Sequence, residues 1–172
     1  MRNSLLIIGA GIYGLVAKEI AENMRCFEKI DFIDDCSKNV SDGTETIGTF
    51  ADLERLSEEY DFVVIAIGNP EVRLRLLQKI ETETTLQIST LISPDAYVSS
   101  SAQIGKGCII EPMAVVHTGC VLGRGCLVSA GAVVNHASVL GDGVHIDCNA
   151  TVEGYVSVPK GTKVESGTVL KK

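Results

Sequence analysis

From residue 92 to the end of the chain an aliphatic side chain falls on every sixth position. The series is Ile92, Val98, Ile104, Ile110, Val116, Leu122, Val128, Val134, Leu140, Ile146, Val152, Val158, Val164 and Leu170. Two places before an aliphatic stands a small or β-branched residue, as at Ala96, Cys108, Ala114, Cys120, Cys126, Ala132, Ser138 and Ala150. Glycine recurs one place after the aliphatic (Gly105, Gly123, Gly141) or three places after it (Gly107, Gly119, Gly125, Gly131, Gly143, Gly161, Gly167). A six-residue period predicts a parallel β-helix. Alternate residues of a strand share a face, so the small residue and the aliphatic both point inward. The glycines sit where the chain bends. Three hexads closing a triangular coil use 3 × 6 = 18 residues, so positions 18 apart stack, and the run makes somewhat more than four coils. Each buried aliphatic contributes roughly 1.5–3 kcal/mol.

The pattern changes before residue 92. Residues 4–9 (SLLIIG) read as a buried strand that runs into Gly9-Ala10-Gly11-Ile12-Tyr13-Gly14, a complete G-x-G-x-x-G. Helical periodicity follows over 15–24, then a strand over 29–33 ending in Asp34-Asp35. A helix starts near Ala51, a third strand covers 62–67, and Gly68-Asn69-Pro70 leads into a helix over 71–80. A last strand is predicted over 86–92. Strands alternating with helices imply a parallel sheet. The expected division is an α/β half-Rossmann domain over 1–91 and an all-β prism over 92–172.

The glycine fingerprint has a strand before it, a helix after it and an acid about 20 residues on, which is the setting of a phosphate at a helix N-terminus with Asp34 or Asp35 near a ribose or base. The domain has roughly half the length of a full dinucleotide fold, which favours a mononucleotide such as a nucleotide-sugar head. Gly68, at the end of the third strand, borders the same crevice.

Composition narrows the partners. The net charge is −7, which argues against a nucleic-acid surface or an anionic membrane. No signal-peptide pattern and no membrane-spanning apolar run is present in the sequence, so a cytoplasmic location is expected. Three of the six cysteines, Cys108, Cys120 and Cys126, fall on inward positions as small apolar fillers. The others, Cys26, Cys36 and Cys148, have no zinc spacing.

His117, His136 and His145 are the only histidines, all in the prism. Their spacings, 19 and 9, lack the H-x-x-x-x-H pair that a γ-type carbonic anhydrase uses for zinc, and no metal is expected. A neutral imidazole near pH 7 can instead take a proton from an attacking amine or hydroxyl. His136 follows an inward aliphatic by two places, on an outward corner. His117, Asn135 and Glu153 form one 18-residue column beside it, and Gly154 stacks above it. Glu153 or Asn135 is therefore expected to orient or charge-stabilise His136.

These residues carry a resemblance. IIGAGIYG, DFIDD, VVIAIGNP, the hexads, VVNHASVLGDGVHI and the nine-residue step from His136 to His145 resemble, across the whole chain, the left-handed β-helix sugar acetyltransferases. Within them the chain resembles the two-domain type of the UDP-4-amino-sugar N-acetyltransferases and the sialic acid O-acetyltransferases. The resemblance implies an acetyl-CoA-dependent enzyme with His136 as general base. His145 and the Gly154 backbone would contact acetyl-CoA, and Gly11, Ile12, Tyr13, Asp34, Asp35 and Gly68 would line a nucleotide-sugar site. It also implies a homotrimer with acetyl-CoA bound between adjacent prisms. Two departures stand out. Ala137 occupies the place after the base, where many members have an acid, and the chain stops about a coil earlier than its family pattern.

The leading expectation is transfer of acetyl to an amino group of a nucleotide-linked amino sugar. Transfer to a hydroxyl, as on a sialic acid, is the second. A nucleotide-sugar-binding scaffold with impaired catalysis is the third. An NAD-dependent enzyme fits the fingerprint alone.

Overall fold

The computed structural model describes residues 3–36, 40 and 42–172, and they form two compact units, Met1–Leu91 and Ile92–Lys172. The first unit opens with β1 (Ser4–Ile8), α1 (Ile12–Met24) and β2 (Lys29–Ile33). A turn of 3-10 helix at Phe50–Asp52 leads into α2 (Leu53–Leu56), and then come β3 (Phe62–Ile65), α3 (Pro70–Glu83) and β4 (Gln87–Ile88). The four strands form one parallel sheet in the order β2-β1-β3-β4. Its central strand, β1, is buried along its whole length, which is why SLLII is a continuous apolar run.

Two helices begin where local chemistry favours a start. Gly11 is the N-cap of α1, so the helix starts inside the fingerprint, three residues before the predicted periodic run. Asn69 caps α3, its Oδ1 accepting from the Val72 N–H at 3.0 Å, and Pro70 fills the first position, where its missing N–H costs nothing. The strand expected over 86–92 is two strands: Gln87–Ile88 joins the first sheet, whereas Leu91–Ile92 is the first rung of the prism. Strand-favouring aliphatics on both sides of Ser89-Thr90 concealed that break.

The second unit is a left-handed parallel β-helix of two-residue strands on three faces. One face stacks Gln103–Ile104, Val121–Leu122, Val139–Leu140 and Ser157–Val158. Its registers, Gln103↔Val121 and Val121↔Val139, step by 121 − 103 = 18 and 139 − 121 = 18. The inward column is the expected one: Cys108, Ala114, Cys120, Cys126, Ala132 and Ala150 interleave with Ile110, Val116, Leu122, Val128, Val134, Leu140, Ile146 and Val152 in a single core. The corners recur at the same period in the left-handed backbone region. Glycine takes most of them, but Met113, Ala137, Asn149 and Tyr155 occupy it at φ 61°, 55°, 55° and 62°.

Gly9 sits at φ 110°, and a Cβ there would lie 2.8 Å from the Ala66 carbonyl oxygen; at Gly14 it would lie 2.1 Å from the Gly9 oxygen. Both glycines are required by packing of this chain on itself. A Cβ at Gly11 or Gly68 would meet nothing within 4 Å. Gly9→Ala is therefore expected to destabilise by about 1–3 kcal/mol, and Gly11→Ala to leave the melting temperature near that of the wild type. Thermal unfolding of the two variants side by side checks the contrast.

Acid should weaken the first unit. Hydrogen bonds from Thr44, then Lys18, hold Asp42 down at about 2. Thr49 holds Asp52, and Ser4 holds Asp61, below the usual carboxylate range. The charged form is the bonded form in each case. The stability these groups contribute is therefore full above their unfolded values near pH 4 and lost as pH falls through the folded values. Melting temperatures recorded from neutral pH downward should stay level to about pH 4 and then decline, and Asp61→Asn should lower the plateau and flatten the decline.

Candidate active site

In the first unit a crevice of about 300 Å³ opens at the C-terminal ends of the strands, lined by Ile8, Gly9, Ile33, Asp34, Asp35, Cys36, Phe50, Ile67, Val72, Arg75 and Leu76. This is where open parallel sheets bind ligands, beside the switch in strand order. Both expected acids line it, and both also hold backbone. Asp34 accepts from the Ala10 N–H at 2.8 Å and the Cys36 N–H at 2.7 Å, and Asp35 from the Phe50 N–H at 2.7 Å. Asp34 thus fixes the glycine loop from the neighbouring strand.

Of the other residues expected there, Gly11 and Gly68 flank the crevice at the ends of β1 and β3 without lining it. Ile12, at 69% exposure, points to solvent, and Tyr13 is half-buried in the first turn of α1. The Gly68 and Ile67 carbonyls are both held by Nη1 of the fully buried Arg73, at 2.9 and 2.8 Å. Arg75 is the residue the motif did not reveal. Val72, Arg75 and Leu76 follow i, i+3, i+4 spacing on α3, so one helix face delivers all three to the crevice.

In the second unit the expected column forms around His136. The Asn135 Oδ1 accepts from the His136 backbone N–H at 2.8 Å and lies 2.8 Å from His136 Nδ1. A backbone N–H cannot donate to an amide NH₂, so the first contact identifies that Asn135 atom as the oxygen. Oxygen in turn requires the ring proton to be on Nδ1. The neutral His136 ring therefore keeps its Nε2 lone pair available.

His117 is set the opposite way. Its Nδ1 accepts from the Thr118 N–H at 3.0 Å, so the neutral ring carries its proton on Nε2. The two rings meet edge to face at 6.3 Å, with Tyr97 beyond His117 at 6.3 Å and Tyr155 against His136 at 5.1 Å. Gly154 lies under the His136 ring: a Cβ there would come within 2.6 Å of Cε1 and 2.9 Å of Nε2. Only glycine lets the ring sit where Asn135 directs it.

Glu153 takes part through its backbone, its carbonyl accepting from Ser138 Oγ at 2.7 Å and its N–H donating to the Leu170 oxygen at 3.0 Å. Among the described residues its carboxylate forms no hydrogen bond or ion pair with either ring. Of the two groups expected to orient His136, the geometry brings in Asn135 and not Glu153. The 18-residue column places a Cα and leaves the direction of a long side chain open.

His145 lies on another face, in a polar cluster. Its Nε2 is 3.0 Å from Ser129 Oγ and 4.0 Å from Asp147 Oδ1, and Lys163 Nζ is 3.0 Å from Asp147. Serine and aspartate face the same ring nitrogen, so the trio lacks the relay of a Ser-His-Asp triad, in which the acid bonds the opposite nitrogen. Burial pushes the Asp147 carboxyl up, but the Cys148 N–H, Lys163 and His145 together hold it below the usual range. Burial, then the Glu111 and Asp147 charges, push the Cys148 thiol up, which disfavours a thiolate nucleophile. Among the described residues no three His, Cys, Asp or Glu side chains form a group able to hold a metal ion, and no helix is long and apolar enough to cross a membrane.

Comparison with known proteins matches both halves. Residues 4–80 fit the PglD N-terminal domain, and residues 101–136 the bacterial transferase hexapeptide repeat. The acetyltransferase domain of PglB from Neisseria gonorrhoeae FA1090 is 30% identical, with a TM-score of 0.88 over 98% of this chain and 91% of that one. That domain has also been solved in complex with acetyl coenzyme A. PerB from Caulobacter crescentus, solved with CoA and GDP-perosamine, shares the fold at 22% identity, with a TM-score of 0.81 over 98% of this chain and 89% of that one. WeeI from Acinetobacter baumannii AYE shares it at 22% identity, with a TM-score of 0.68 over 96% and 87%. With each half matched to its own model, and the whole chain aligned to a relative at 30% identity, the chain belongs to the hexapeptide-repeat sugar acetyltransferases with a PglD-type N-terminal domain.

Proposed function

We propose that this enzyme transfers acetyl from acetyl-CoA to the amino group of a nucleotide-linked amino sugar, of the UDP-4-amino-sugar kind, with His136 as general base. The observation that carries the reading is the His136 ring itself: exposed, protonated on Nδ1 by its bond to Asn135, and presenting a free Nε2 over Gly154. The relatives' bound molecules, acetyl coenzyme A on the PglB domain and CoA with GDP-perosamine on PerB, support the same chemistry.

The proposed step is direct. The sugar nitrogen attacks the thioester carbonyl, and Nε2 takes the proton the nitrogen loses as the C–N bond forms. The oxyanion is held by a backbone N–H. The C–S bond then breaks, and the imidazolium returns the proton to the departing thiolate. Acetyl-CoA supplies the activated acyl group, bound near His145 and the Gly154 backbone in a groove between the prisms of a homotrimer. Asn135 holds the tautomer but, as a neutral amide, adds no charge, so it replaces only half of what an acid at position 137 would do. Ala137 occupies that position in a left-handed backbone, φ 55°. The nucleotide is held by the crevice at Asp34 and Asp35, with Arg75 suited to a diphosphate and Gly11, Ile12, Tyr13 and Gly68 at its rim. Gly11 and Gly68 are open on their Cβ side, which fits close approach of a ligand to backbone. The proposed substrates, a nucleotide sugar and acetyl-CoA, fit the expected cytoplasmic location.

Thiol release from acetyl-CoA, measured with UDP- and GDP-linked amino sugars and free sialic acid, tests the reading. Release should require an amino sugar, and His136→Ala should lower kcat by on the order of 10²–10⁴-fold. Release with sialic acid alone would favour the hydroxyl acceptor. No release with any acceptor, while a nucleotide sugar still raises the melting temperature, would favour a binding protein. Gly11→Ala is expected to weaken nucleotide-sugar binding, read by calorimetry, at unchanged stability.

A further inference from the structure

Most corners of the prism close in one way: the N–H of a corner's fourth residue donates to the carbonyl of its first. Cys120 donates to the His117 oxygen at 3.3 Å, Ala132 to the Ser129 oxygen at 3.0 Å and Ala150 to the Asp147 oxygen at 3.0 Å. The corner 153–156 is built differently. The Val156 N–H donates to Ser138 Oγ at 3.3 Å, and that hydroxyl donates to the Glu153 carbonyl at 2.7 Å. Ser138 is fully buried, in the inward column one coil away. Its hydroxyl is inserted into the turn bond and holds both ends of it.

His136 rests on this corner. Gly154 lies under the ring, Tyr155 packs edge-on to it at 5.1 Å, and the Tyr155 N–H donates to the His136 carbonyl at 3.0 Å. The same reach of fifteen residues recurs with thiols: Cys108 Sγ to the Gly123 oxygen at 3.2 Å, Cys120 Sγ to the Asn135 oxygen at 3.1 Å and Cys126 Sγ to the Gly141 oxygen at 3.3 Å. Inward donors thus hold the carbonyls of both Asn135 and Glu153, the residues that bracket His136 on two successive coils.

We propose that Ser138 is a positioning residue for His136, fixing the 153–156 corner so that Gly154 and Tyr155 hold the ring in its Nδ1-protonated orientation. The proposal rests on the reading of His136 as the base. Ser138 is sealed in the core and touches no substrate; it acts only through the height and tilt of that corner.

The test compares Ser138→Ala, Ser138→Cys, Cys108→Ala and His136→Ala in the full-length protein. Steady-state kinetics are paired with long-range ¹H–¹⁵N spectra of the histidine rings, which need no turnover. Ser138→Ala should lower kcat roughly 10- to 100-fold, leave KM for acetyl-CoA within about twofold, and move the His136 ring signals away from the Nδ1–H pattern. Ser138→Cys, which restores the donor but accepts weakly, should fall between alanine and wild type on both readouts, and it carries the test if the alanine variant does not fold. Cys108→Ala removes an equivalent bond far from His136 and should change neither kcat nor the ring signals. Wild-type ring signals in the Ser138 variants, or an equal disturbance from Cys108→Ala, would overturn the proposal. Full activity in His136→Ala would instead overturn the base reading, and the ring spectra would still decide the role of Ser138.

Discussion

The constraint on which the second unit depends is the pairing of each two-residue strand with the strand 18 positions away. A two-residue strand has almost no cooperativity of its own. It is held because its inward aliphatic packs above and below on residues of the same kind, as Val116, Val134 and Val152 do. A slip of one residue would turn that column to solvent and bring the corner side chains into the core. The uninterrupted period of the inward positions is therefore the condition under which any coil exists.

The same register assembles the reactive corner. His136, Asn135 and Gly154 come from two successive coils, and their closeness follows from stacking alone. Register supplies position, and the polar groups then supply orientation. The Asn135 oxygen, shared between a backbone N–H and a ring N–H, sets the tautomer of His136, while the Thr118 N–H sets the opposite one in His117. Two exposed histidines a ring's width apart are thereby given different chemistry, and only one presents a lone pair on its outer nitrogen. In the first unit Asp34 has a comparable double role, lining the crevice while it ties the glycine loop to the end of β2.

The fold was legible because both units advertise their geometry through spacing. The six-residue period, the G-x-G-x-x-G after a buried run and the Asn69-Pro70 start of α3 each have one physical reading. The prediction failed where spacing carries no information. The aliphatic residues Leu86, Ile88, Leu91 and Ile92 hid the change from one sheet to another, because both environments favour the same side chains. The 18-residue column brings the Glu153 backbone beside His136 and leaves the direction of its carboxylate open, since a flexible side chain is not specified by register. Arg75 went unnoticed because its significance comes from which face of α3 meets the crevice, a tertiary fact. The Ser138 hydroxyl sits in a slot that reads as a small filler, stacked between Cys120 and Val156.

A coil that repeats every 18 residues also has a particular relation to its own gene. Inserting or deleting one whole coil would leave every remaining strand facing a partner of the same kind, and would change the height of the prism by one strand spacing, about 4.8 Å. An insertion within a strand that is not a multiple of six would shift the inward column out of phase, and one of six or twelve would keep that phase but turn every later residue onto another face. Reading-frame preservation is therefore not enough for this half of the protein; to keep each side chain on its face, length variation must come in multiples of the coil, or else be confined to the corners, where loops can bulge outward. Within such a series the corner bearing His136 would keep its local geometry while its distance from either end of the prism changed in discrete steps.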